Sequence, residues 1–116
     1  MSTSTLPDSD YPTAAEHLLA ALERQCDDWL QQGVIDIDSS RAGGLLQLVF
    51  PDDSKIVVNK QPPLQEIWLA ARAGGFHFRL VDGVWRDTRD GVEFFARLSE
   101  ETSRQAGQPL RWSAPA

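Results

Sequence analysis

Asn59-Lys60-Gln61-Pro62-Pro63-Leu64-Gln65-Glu66-Ile67-Trp68-Leu69-Ala70, followed by Gly74-Gly75-Phe76-His77-Phe78, is the stretch whose reading decides the fold. Val58, Ile67 and Leu69 alternate with Asn59, Glu66 and Trp68, the period of two that sends one set of side chains into a core and the other out of it. Pro62 and Pro63 cannot donate ladder hydrogen bonds, so they divide a strand over residues 55–60 from one over residues 66–70. Trp68 and Asn59 then leave the core on the sheet face that helices do not cover, where a tryptophan is a rigid anchor for a partner. Largely buried tryptophans are common enough that a core position for Trp68 is the competing reading.

Upstream, Tyr11, Ala15, Leu18, Leu22, Cys26 and Trp29 recur at helical steps and form one buried stripe. Ser9 or Asp10 caps this helix, Pro12 is tolerated in its first turn, and Gly33 ends it after about Gln32. Residues 1–8 read as a disordered lead-in. Residues 34–39 read as the first strand, with Ile35 and Ile37 facing one way and Asp36 and Asp38 the other. Residues 41–44 read as a turn, residues 45–50 as the second strand, and Pro51-Asp52-Asp53-Ser54 as the turn into the third.

Downstream, Gly74-Gly75 is read as a turn before a strand over residues 76–81, which Asp82-Gly83 joins by a tight hairpin to Val84-Trp85-Arg86. Asp90-Gly91-Val92-Glu93 has capping-box spacing and opens a second helix with Phe94, Phe95 and Leu98 as its core face, ended by Gly107 and Pro109. The connections are too short for parallel crossovers. The order helix, about six strands, helix therefore predicts a two-layer α+β sandwich, an antiparallel sheet with the N- and C-terminal helices on one face. One domain over residues 9–108 and a C-terminal tail over residues 109–116 complete the expected organisation.

The net charge of −6 argues against general nucleic-acid binding, which needs clustered Lys and Arg. Residues 8–38 hold eight acids against one base, Arg24, and so carry −7, while the remaining nine acids and ten bases leave +1. This asymmetry points to a cationic ligand or partner. No run of about 18 apolar residues is present to span a bilayer, and residues 1–10 lack a signal-peptide pattern, so a cytoplasmic protein is expected. A lone cysteine, Cys26, cannot form an internal disulfide and reads as core.

On the first helix, at about 100° per residue, Glu16, Glu23 and Asp27 fall within roughly 40° of one another, almost opposite the apolar stripe. Asp28 lies to one side, and Asp36 and Asp38 extend the set onto the following strand. Such a face also serves solubility and discourages edge-to-edge sheet pairing. Carboxylates spread over a surface are hard oxygen ligands suited to many cations, with no closed geometry to select one. His17 has no helical ligand partner and reads as surface. His77 alternates with Phe76 and Phe78 and reads as a sheet-surface side chain. No catalytic triad, CxxC pair or phosphate loop is present.

The opening stretch, and with it the chain from about Tyr11 to Gly107, resembles the frataxin family, specifically the bacterial CyaY-type frataxins. The resemblance implies an iron-binding modulator of iron-sulfur cluster assembly that acts on a cysteine desulfurase and its scaffold protein, as regulator or iron chaperone. It carries the iron-binding and desulfurase-docking role to Glu23, Asp27, Asp28, Asp36 and Asp38, and partner binding to Asn59, Gln61 and Trp68; Glu16, on the same helix line, joins the metal candidates, and Glu66, beside Trp68, the partner-binding ones. Iron would be weakly held, other divalent cations would compete, and the metal-free protein would be a monomer. Arg24 stands where bacterial frataxins often carry a second acid, and Glu66 where many have glutamine. A metal-independent interaction module that regulates the desulfurase is the alternative. No enzyme is expected, since ferroxidase chemistry would need carboxylates converging on one site and the chain has no Glu-x-x-His pair.

Overall fold

The computed structural model describes residues 10–114. In chain order the elements are α1 (Tyr11–Gln32), β1 (Asp38–Ala42), β2 (Leu45–Val49), β3 (Lys55–Gln61), a single 3-10 turn (Pro62–Leu64), β4 (Glu66–Ala71), β5 (Gly74–Val81), β6 (Val84–Asp87) and α2 (Phe94–Ala106). The strands pair in sequence order as one antiparallel sheet. Leu46, Leu48, Ile56, Val58, Ile67, Leu69 and Phe78 bury their side chains against Leu18, Leu19 and Leu22 of α1 and Phe94 and Leu98 of α2, so both helices cover one face and the other is open. This is the expected α+β sandwich. The lead-in over residues 1–8 lies outside the described residues.

Gly33 closes α1 at a φ of 72°, a left-handed conformation that glycine adopts without a Cβ clash. Its N–H donates to Leu30 O and the Val34 N–H to Trp29 O, the two bonds that close a Schellman motif. The chain then runs unpaired to Asp38, which corrects the expected first strand over residues 34–39. The register shows why: Asp38 pairs with Val49, and β2 ends there because the Phe50 N–H turns away to Ser54 O. Ile37 is still buried and Asp36 exposed, so the alternation holds without the ladder. Arg41 and Ala42 belong to β1, which shrinks the expected turn over residues 41–44 to Gly43-Gly44.

Gly74 and Gly75 are also strand residues, paired with Ala71 and Ala70, and the turn is Arg72-Ala73. Asp82-Gly83 makes the predicted hairpin with both residues at positive φ. The expected capping box is displaced. Glu93 itself is the N-cap, its carboxylate accepting from the Phe95 and Ala96 N–H groups, while Asp90 accepts from the Val92 N–H ahead of the helix. Beyond Gly107 the chain returns to the core. Trp112 packs edge-on against Trp29 at 4.7 Å and donates its indole N–H to Thr102.

Candidate functional site

Two surfaces collect the residues singled out from the sequence. The first follows α1 and the neighbouring edge strand. In β1 the side chain of Arg41, opposite Leu46, points to the helix-covered side, and from the sheet edge it reaches α1. Its guanidinium donates to both carboxylate oxygens of Glu16, at 2.8 and 2.7 Å, and to Glu23 Oε1 at 2.9 Å. Lys60, at the end of β3, donates to Glu16 Oε1 at 2.8 Å. Hydrogen bonds from Arg41 and then Lys60 hold the Glu16 carboxyl down at a pKa of about 2, and the two carboxylates in turn raise Arg41. Two cations thus meet two carboxylates, and this half of the acidic line has no local excess charge. Glu16 is exposed and Glu23 half-buried, and both are paired with cations at the sheet edge, which the helix spacing alone did not foretell.

The rest of the set differs. Asp27 and Asp28 on the last turns of α1, Asp36 in the linker and Asp38 at the start of β1 are all exposed, and none takes part in an ion pair among the described residues. Exposed Leu30 and Val34 lie between them in the chain. Among the described residues no three His, Cys, Asp or Glu side chains come together as a metal centre. These carboxylates therefore supply diffuse negative potential and single hard-oxygen ligands, which suits exchangeable cations or a basic protein surface and does not suit a resident iron with closed coordination.

The second surface is the open sheet face. Across it Leu45, Asn59, Trp68 and His77 stand opposite one another on β2 to β5, and Gln61, Glu66, Arg79 and Arg86 form the adjoining row on β3 to β6. Trp68 is half-buried and stacks on His77 with ring centroids 4.2 Å apart and planes 6° from parallel. Glu66 is buried, which its place on the outer side of β4 did not foretell. Its Oε1 accepts from Trp68 Nε1 at 2.8 Å and lies 3.8 Å from His77 Nδ1, and its Oε2 accepts from Arg79 Nη2 at 3.2 Å. The Glu66 carboxylate is covered by these partners, and the charges this end of the face presents to solvent are those of Arg79 and Arg86.

Tyr11 ties the two surfaces together. Its hydroxyl donates to Glu66 O at 2.6 Å and accepts from the Gln61 N–H at 3.1 Å, so the first turn of α1 is fastened to both strands that flank the proline pair. Sequence reasoning placed Tyr11 on the apolar stripe and missed this role, and it missed Arg41 and Lys60 altogether. Cys26 is core as expected, its thiol pushed up to about 12 by burial and then by Asp27 and Glu23, so it stays protonated. His17 is exposed at the rim of a cleft of about 310 Å³ formed with Leu18, Leu80, Trp85 and Phe95.

The described residues include no helix long and apolar enough to cross a membrane. A family model described as "Frataxin-like domain" matches residues 4–108. The iron-sulfur cluster assembly protein CyaY of Paraburkholderia xenovorans is 56% identical over 109 residues, 94% of this chain and all of that protein. Its counterpart in Paraburkholderia phytofirmans is 55% identical over the same share of each chain. Among solved structures, the frataxin of Psychromonas ingrahamii aligns with a TM-score of 0.78 and 29% identity, covering 94% of this chain and all of that one. Trimeric frataxin from Saccharomyces cerevisiae, complexed with ferrous iron, aligns at 0.62 with 28% identity over 93% of this chain and 92% of that one.

Proposed function

The chain belongs to the frataxin family, and on that premise we propose that it serves iron-sulfur cluster assembly as a docking protein with no covalent chemistry of its own. The open sheet face around Trp68 meets the complex of cysteine desulfurase and scaffold protein. The carboxylates Asp27, Asp28, Asp36 and Asp38 engage the desulfurase's basic surface or carry iron as an exchangeable cargo. The observation that carries this reading is the Trp68–His77 stack, a rigid aromatic platform on the sheet face that neither α1 nor α2 covers. Interfaces concentrate binding energy in anchors of this kind. The names of the relatives support the pathway, and the ferrous iron bound by the yeast protein supports iron as the cargo.

The neutralisation of Glu16 and Glu23 by Arg41 and Lys60 favours a second reading, in which the same surfaces act on the desulfurase without metal. One pull-down from the native cytosol separates the cases. Wild-type bait is expected to recover a cysteine desulfurase and its scaffold, and Trp68→Ala and Asp27→Lys baits to recover roughly tenfold less. Recovery of neither protein by wild type would defeat the assignment. Charge reversal at Asp27, Asp28 and Asp36 that weakens desulfurase binding equally with and without added iron selects the metal-independent reading.

A further inference from the structure

Glu66 belongs by strand parity to the open face, yet it is only 7% exposed and lies beneath the groups around it. Three outward-facing side chains converge on its carboxylate: the Trp68 indole at 2.8 Å, Arg79 at 3.2 Å and His77 at 3.8 Å. The Trp68 side chain has two torsions to fix. Stacking on His77 restrains the ring plane, and the bond from its Nε1 to an ionised acceptor restrains the direction of the indole edge. An anchor already held in its bound rotamer does not lose that freedom again when a partner arrives.

The geometry points to Glu66 as a positioning residue that touches no partner itself and holds the Trp68–His77 stack in one arrangement, so that the docking face is preformed. This rests on the docking reading given above. It also gives the glutamate a role that its charge alone does not suggest. The carboxylate is shielded from a partner by the groups it holds, and Arg79 reaches it from a side chain that remains 59% exposed.

Glu66→Gln keeps an oxygen acceptor for the indole N–H in nearly the same volume, whereas Glu66→Ala removes it, and neither change touches the inward-facing Ile67 and Leu69. In the full chain, the Trp68 indole N–H resonance, assigned through Trp68→Phe, and the His77 ring protons, shifted by the stacked indole face, report the arrangement directly. Glu66→Gln is expected to keep both signals. Glu66→Ala is expected to move the indole resonance to its solvent-exposed position, to release the His77 shifts, and to weaken binding to the purified desulfurase–scaffold complex by roughly tenfold, against less than about threefold for Glu66→Gln. Glu66→Met fills the space without accepting a hydrogen bond and gives the same readouts should Glu66→Ala not fold. Signals unmoved in both apolar variants overturn the proposal, and so do moved signals with unchanged binding. Trp68→Ala that binds the complex as tightly as wild type defeats the docking reading instead, whatever the resonances show.

Discussion

In the first two-thirds of α1, Glu16 and Glu23 are held by Arg41 and Lys60, whereas Asp27, Asp28, Asp36 and Asp38, toward and beyond its end, form no ion pair among the described residues. Both halves of the ridge are carboxylates, glutamates in the first and aspartates in the second. They differ because β1 begins at Asp38 and so brings Arg41, not another acid, against the helix. Negative charge that is already paired offers little to a cation, so the charge left available is that of the half beyond Glu23.

The halves are also anchored by different physics. The first is fastened by ion pairs and by the Tyr11 hydroxyl, the second by Trp29 packed on Trp112. Removing the second anchor should have the largest effect. Trp112 is only 4% exposed and its indole N–H is bonded to Thr102, so Trp112→Ala is expected to lower stability by about 3–5 kcal/mol in urea unfolding. A loss below about 1 kcal/mol would mean that the end of α1 does not depend on core packing of this segment.

The smallest expected effect belongs to the first half. Arg41 and Lys60 lower the Glu16 pKa from its ordinary 4.5 to about 2. The sign follows from that direction: the contribution of the pairing to stability is complete above the ordinary value and is lost as pH falls through the folded one. Because Glu16 is exposed, salt screens this contribution and the melting temperature should barely register it. The carboxyl carbon resonance of Glu16 registers it instead, with a midpoint near 2 that climbs toward 4.5 in Arg41→Gln. A wild-type midpoint already at the ordinary value would dissolve the distinction between the two halves.

The fold was legible in the sequence wherever a period met a stop signal. The apolar stripe before Gly33, the proline pair and Asp82-Gly83 mark α1, the β3–β4 connection and the β5–β6 hairpin within a residue or two. The first strand was misplaced because alternation reports which way a side chain faces, not whether a neighbouring strand is there to pair with it. That error also hid the site. Ile37 was read as inward, but ending the strand at residue 39 and reading residues 41–44 as a turn kept that parity from reaching Arg41, whose inward side chain places a guanidinium at the sheet edge beside the acidic helix. Trp68 could be read because its apolar neighbours fix its face. Its stack on His77 and the burial of Glu66 depend on cross-strand register, which local pattern does not encode.

The central claim, that available negative charge is confined to the half beyond Glu23, is tested most directly by calorimetric titration of manganous ion into wild type and three variants. Neutralising Asp27, Asp28, Asp36 and Asp38 together to asparagine should abolish the binding heat, and Glu16→Gln should leave it unchanged. Arg41→Gln, which frees Glu23 and leaves Glu16 paired with Lys60 alone, should increase the affinity by up to roughly tenfold. Undiminished binding in the asparagine variant, or its loss in Glu16→Gln, would contradict the account.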